Sequence, residues 1–498
     1  MAMLPLGPRT TRRRLVERGM AVLSAAMIGV GGACTDSNVP FFTAPTAVPN
    51  SPAGIQNAVT GLFAFSRNDI GQYIQYMGGF ARDAVQMTNG NPEFLTWYTG
   101  LGTIPAGGDG VWDNEYRDVA AALAILTTLP TTTPAYTSPQ AAAIVGIAQT
   151  MEALNLMLVA ETRDTLGIPV HANGAVPGPA YCNKDVWKSI VALLDSGNAS
   201  LNAAGSIPLP VKLPPGFSSV SAAAGPSTTP GSFAAFNRAL AGKAGLELAY
   251  AIARNSAGTH PTPTTPGSPD VGALTRADSA IAASALYNPS ALTPPVPGNF
   301  PEDASGVYWD FSGQSGDQTN PIDQFIGFFT VLKTFVADVD TLDDLRWKGK
   351  FGPNPYQIEL PTYNYIASGD LFLFYSTTNS PISIIRNEGL TLLRAQIQLG
   401  LGNLSNSLTY LNDVRTNVGG LSPVTGSDYV TVRDLLLKEQ RVSLIFEGSG
   451  DRTISLRMYH LEAVADTTWG SKDLHTTVVP VEAQELEGRN GSYTLTCQ

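Results

Sequence analysis

The strongest constraint on this chain is the apolar spacing between Pro381 and His460. Ile385, Gly389, Leu392, Gln396 and Leu399 recur at steps of three and four, so they share one face of a helix. Gly400-Leu401-Gly402-Asn403 ends that helix, because glycine and asparagine accept the left-handed backbone of a helix C-terminus. A second apolar series (Leu404, Leu408, Leu411 and Val414) predicts a helix running back antiparallel. Small Gly389 and Ala395 fall where the two would touch. Spacing alone fits a helical repeat unit and a plain helical hairpin equally.

Other stretches carry the same signature. Residues 51–67, 112–128, 140–165, 185–201 and 233–254 each read as a helix. Between them lie inserts rich in Pro, Ser, Gly and Thr, at 205–231, 258–269 and 288–301, which cannot bury enough apolar surface to fold alone. From 307 to about 378 the pattern turns to alternating aromatic, polar and turn residues with short β-like runs such as Leu371–Tyr375, an irregular α/β segment.

The N-terminus reads as an address. Arg9, Arg12, Arg13, Arg14 and Arg18 precede an apolar run of 15 residues, Gly19 to Ala33, too short to span a bilayer comfortably. It ends in Gly31-Gly32-Ala33-Cys34, which resembles a lipobox with Cys34 as the acylated mature N-terminus. Cleavage near Ala33 to leave a free secreted protein is the alternative. Residues 35–52 then read as an extended tether.

Of 498 residues, 41 are acidic and 30 basic. Residues 1–33 hold five Arg and one Glu, so the remainder carries 25 basic and 40 acidic residues, a charge of −15. That argues against nucleic acid or an anionic lipid surface as the main partner. With Cys34 acylated, Cys182 and Cys497 form an even pair; one disulfide and two separate thiols both fit. The four histidines lie far apart and no zinc spacing is present. No cofactor or metal is expected.

Signatures of catalysis are missing: no G-x-S-x-G elbow, phosphate-binding loop, H-E-x-x-H or dinucleotide fingerprint. Binding is better supported, since aromatic rings present large apolar faces to sugars and peptides alike. One candidate cluster is Asn89, Asn91, Phe94, Trp97 and Tyr98; the other is Tyr308, Trp309 and Phe311 with Gln314 and Asp317. Core packing is the competing reading for every one of these aromatics. Trp112 and Trp187 sit in helical patterns and are expected in the core. Asp338, Asp340, Asp343 and Asp344 before Arg346 read as a turn and helix cap.

The details beyond spacing resemble one family. Glu388 and Arg394, then Gly402-Asn403, Leu411-Asn412-Asp413-Val414-Arg415 and Gly419-Gly420-Leu421, are similar to the C-terminal part of SusD/RagB proteins. Glu439, Arg441, Leu444, Glu447-Gly448, Arg452 and Leu456 continue that pattern, although Ser443 and Ser455 replace common acids. In the N-terminal half, Trp112-x3-Tyr116, the long Ala-rich helix and Gly167-Ile168-Pro169 extend the resemblance. It implies a mostly α fold of four tetratricopeptide-like helix pairs with an irregular α/β insertion. The divisions expected are a signal peptide (1–33), a lipidated tether (34–52), an N-terminal helical region (53–290), the ligand-face insertion (291–380) and the C-terminal region (381–498). It implies a non-enzymatic lipoprotein on the outer face of the outer membrane. There it would capture a glycan oligosaccharide or peptide and serve as the lid of a TonB-dependent SusC-like transporter. A lipid-anchored scaffold that binds proteins and a glycoside hydrolase are the alternatives; the hydrolase needs two carboxylates facing each other across a cleft.

Overall fold

The computed structural model describes residues 48–81, 83–86, 109–131, 135–170, 178–218, 229–257, 269–295, 306–312, 317–322, 329–332, 335–336, 339–353, 367–373, 375, 377–448, 450–461 and 478–497. The expected leader, Cys34 and most of the tether lie outside them.

Helix α1 (Pro52–Phe65) begins where the Ser51 hydroxyl accepts the Gly54 N–H at 3.1 Å, with proline at its first position. It is followed by α2 (Ile70–Phe80) and strand β1 (Ala84–Gln86). Helices α3 (Gly110–Thr128), α4 (Ser138–Arg163), α5 (Asn183–Ala204), α6 (Pro230–Ala257) and α7 (Val271–Ala283) then stack side by side in chain order. Trp112 and Trp187 are core, each 1% exposed. Small residues set the spacing: Gly146 of α4 rests against Gly197 and Leu201 of α5, and a Cβ at Gly242 of α6 would lie 2.2 Å from Ile281 of α7. Early residues of one helix thus meet late residues of the next, as antiparallel neighbours do. The Asn237 amide ties three helices together, donating to Thr150 Oγ1 at 2.8 Å and the Leu194 carbonyl at 3.0 Å.

Helix α4 is the axis. Every residue from Thr150 to Arg163 is buried, so its length and apolarity reflect a central position in the fold. The location traps a carboxyl: Glu152 is 6% exposed, and burial pushes its pKa up to about 7 from 4.5. The folded chain therefore binds more protons than the unfolded chain between these values, and stability falls as pH rises through that window. Glu152→Gln should remove this slope and add up to about 3 kcal/mol above pH 7. Urea unfolding at pH 5 and pH 8 checks it; an equal mutant effect at both would refute the assignment.

The region after α7 mixes strands and helix. Strands β2 (Ile168–Pro169) and β3 (Ala180–Tyr181) precede α5 and pair antiparallel. Strands β4 (Gly306–Trp309) and β5 (Phe329–Leu332), helix α8 (Leu345–Lys350), and strands β6 (Phe351–Pro353) and β7 (Ala367–Phe372) are the elements described within 291–380. One sheet, ordered β1-β5-β7-β6, recruits β1 from the N-terminal half. β4 pairs antiparallel with β8 (Ile382–Arg386). Ile385 therefore belongs to a strand, where its spacing had suggested helix. The β-branched run Ile382, Ile384 and Ile385 is buried on both faces against β4 and the helices, and tertiary pairing overrides the local period. The helix starts only at Asn387, as α9 (Asn387–Gly400), and Gly402, at φ 80°, carries the turn into α10 (Leu404–Asn417).

Helices α11 (Tyr429–Leu444) and α12 (Asp451–Tyr459) complete this half, followed by α13 (Ala483–Gly488) and β9 (Leu495–Thr496). Asp344 caps α8, accepting the Arg346 N–H at 2.9 Å. Arg346, 1% exposed, donates to Asp344 and Glu439 at 2.6 Å and to the Ser443 hydroxyl at 2.9 Å, while Arg415 reaches the other Glu439 oxygen at 2.7 Å. Arg386 holds both oxygens of Glu447, at 2.8 and 2.9 Å, and also donates to Glu388. Arg441 and Arg452 converge on Asp83 at 3.3 and 3.2 Å. Glu439, Arg441, Glu447 and Arg452 thus form the structural salt-bridge network their pattern implied, with partners in α8, β8 and α10 and at Asp83.

Candidate ligand-binding cleft

The C-terminal end of α1 borders a cleft of about 740 Å³, within the range of small-molecule sites. Its floor is aromatic. Phe63 projects from the buried stripe of α1, and its ring lies 4.6 Å from Phe217, which in turn meets Phe236 edge-on at 5.4 Å. One wall is the 212–217 segment, where Pro214-Pro215 fix the backbone. That segment lies close to β4 because residue 216 is glycine: a Cβ there would fall 2.2 Å from the Tyr308 carbonyl oxygen. Gly216→Ala should push this wall off the strand and cost about 1–3 kcal/mol, since a backbone oxygen yields poorly. A lowered denaturant midpoint would show it, and an unchanged one would mean the wall is not seated this way.

The opposite wall is Trp309, Asp310, Phe311 and Ser312. Trp309 is 1% exposed and donates its indole N–H to the Ser66 hydroxyl at 3.3 Å; Phe311 is 3% exposed. Both side chains are therefore almost wholly buried where they border the cleft. Tyr308, one residue away on β4, does not line the cleft. This cluster is consequently a structural wall, and no open stacking platform is formed by it. Asn89, Asn91, Phe94, Trp97, Tyr98 and Gln314 lie outside the described residues.

Arg67, just past α1, crosses the cleft edge. Its guanidinium donates to the Asp310 carbonyl and the Asp317 carboxylate and lies 5.3 Å over the Phe311 ring. Against the cost of desolvation, hydrogen bonds from the Ser312 hydroxyl and N–H and from Arg67 bring the Asp317 pKa down to about 2. Gln56, Thr60, Lys212 and Asn379 add polar groups at the rim, and the Gln56 side chain accepts the Lys212 backbone N–H at 2.9 Å. An apolar floor beneath hydroxyl, amide and ionic groups suits a ligand with one apolar face and many hydrogen-bonding edges.

Sequence reading located Trp309, Phe311 and Asp317 here but missed Phe63, Phe217, Arg67 and Lys212. No local signal marks those four. Phe63 reads as one more core position of a helix, and Lys212 as part of a proline-rich loop.

Cys182 and Cys497 are joined by a disulfide, Cα atoms 5.1 Å apart, beside the parallel pairing of β9 with β3.

No protein-family model matches the chain, and no curated protein matches it in sequence. Its fold does match solved structures of SusD-like proteins, and this chain has that fold. A SusD superfamily protein from Bacteroides vulgatus is 13% identical with a TM-score of 0.60, covering 90% of this chain and 98% of its own. Surface glycan-binding protein A from Bacteroides uniformis is 15% identical with a TM-score of 0.61, covering 88% and 98%. A third, solved with a xylogluco-oligosaccharide, is 17% identical with a TM-score of 0.59, covering 83% and 85%.

Proposed function

We propose that this chain is a SusD/RagB-family, non-catalytic binding protein that captures a glycan oligosaccharide. The observation that carries the reading is the fold match along nearly the whole length of SusD-like proteins, one of them solved with an oligosaccharide. The cleft supports it with an apolar floor and a rim of hydroxyl and amide groups. Capture needs no bond-making; it needs a shaped face and exclusion of water. Cys34 would carry lipid and anchor the chain at the outer membrane, the tether would give it reach, and a TonB-dependent SusC-like transporter would receive the cargo. Residues 87–108, with Asn89, Asn91, Trp97 and Tyr98, are the second ligand-binding element in this reading.

Calorimetry against neutral oligosaccharides and short peptides tests the cargo. Thr60→Ala combined with Asn379→Ala should weaken glycan binding about tenfold, the loss of about 1.4 kcal/mol of rim hydrogen bonds. If Trp97→Ala abolishes binding while the rim pair leaves it intact, the ligand sits on the loop element. Absence of binding to any oligosaccharide would overturn the glycan reading. Co-purification of a barrel transporter from native outer membranes tests the partner separately.

A further inference from the structure

We propose that Lys243 and Asp451 become joined by an intramolecular amide bond, with Glu161 as proton shuttle. The three residues come from α6, α12 and α4, and all are buried, with side chains 7%, 5% and 1% exposed. Lys243 Nζ lies 3.3 Å from Asp451 Oδ1 and 3.0 Å from Glu161 Oε1. The Tyr73 hydroxyl donates to the other Glu161 oxygen and keeps that carboxylate oriented. Gly450, in the left-handed region at φ 61°, brings Asp451 in close: a Cβ there would fall 2.5 Å from the Tyr73 hydroxyl and 2.8 Å from Met77. Glu247 also faces Lys243 from one turn along α6, and burial holds its pKa well up, so it adds no second competing carboxylate charge.

The arrangement places a nucleophile, an electrophile and a base together in a buried interior. Glu161 and Asp451 hold the Lys243 ammonium protonated against its burial, so the step starts with a proton passing to Glu161, whose pKa burial raises. The free amine attacks Cγ of Asp451, and a C–N bond forms. One C–O bond breaks as Glu161 relays to the departing oxygen the two protons that nitrogen sheds, one from the ammonium and one from the tetrahedral adduct, and that oxygen leaves as water. Ammonium and carboxylate give amide and water, Glu161 ends as it began, and no oxidant or reductant is needed. Two forces favour the product. Fixed proximity removes the entropy cost of bringing the groups together. A neutral amide also replaces two buried charges whose desolvation the ion pair only partly offsets. The bond would brace the N-terminal helices covalently against α12.

Peptide mapping of the purified full-length chain, denatured, reduced and digested with trypsin, tests this. The expected result is a branched species joining 239–254 to 442–452, lighter than the two peptides together by one water, with no cleavage after Lys243. Glu161→Gln should leave the two peptides separate. Should that variant not fold, Lys243→Met provides the unbranched control and the native map still decides. Cleavage after Lys243 in the native chain, with 442–452 found only at its linear mass, overturns the proposal and leaves an ion pair.

Discussion

Glu447→Ala is expected to destabilise the fold by about 3–5 kcal/mol, because it removes the carboxylate that two buried cations share and leaves Glu388 as the remaining anion beside them. Glu447 is 3% exposed and accepts two hydrogen bonds from Arg386, itself 3% exposed. Its Oε1 also lies 3.3 Å from Lys350 Nζ, a group with no solvent exposure. Burial already pushes the Lys350 pKa down to about 8 from 10.5, with Glu447 the largest force opposing that fall. The sign follows. The folded chain binds fewer protons than the unfolded one between about 8 and 10.5, so this lysine makes stability rise with pH across that window. Removing Glu447 should pull the lysine pKa lower still, extending the rise to pH values below 8. Urea unfolding at pH 7 and pH 9.5 reads both effects. A loss below about 1 kcal/mol at pH 7, or one equal at both values, would show that water reaches these cations.

The second large effect is expected on removing the disulfide. Cys182→Ser with Cys497→Ser should cost about 2–5 kcal/mol, a magnitude typical of native disulfides whatever the balance of entropy and strain. The bridge spans 315 positions and fastens a C-terminal strap to the N-terminal helices. The strap keeps other holds: the Val479 N–H to the Thr162 carbonyl at 2.8 Å, Arg489 to the Gly178 carbonyl at 2.8 Å, and the Tyr493 hydroxyl to the Gly167 carbonyl at 3.0 Å. Strap opening should therefore precede global unfolding. Limited proteolysis should cut the variant first within 489–497 and leave the rest intact. Cleavage elsewhere at the same rate as in the native chain, with the C-terminus protected, would mean that the strap stands without its bridge.

Much of the scaffold was legible because helices write their period locally. The stretches around Phe63, Trp112, Trp187 and Leu411 show apolar residues on one face, and each became a helix within a few residues of its expected limits. The network of Glu439 and Glu447 could be anticipated as structural from pattern and resemblance, yet its partners Arg346, Lys350 and Arg386 lie some 60 to 97 positions away, and no local rule pairs them. Ile385 shows the limit most directly. Its spacing suits a helix, but β4 pairs with it across the fold, and that long-range contact decides.

The candidate site is the extreme case. Aromatic clusters can be read from the sequence, whereas ring exposure cannot: Trp309 and Phe311 turned out to be a buried wall, and the cleft they border also needs Phe63, Phe217 and Arg67. The sequence alone determined most of the helices and the turn after Gly400, which follow from neighbours within a few residues, and the acidic balance, which follows from composition. Tertiary structure alone decided which loops share a cleft, which charges are buried together and that Cys182 and Cys497 join, because each depends on contacts between residues 61 to 315 positions apart.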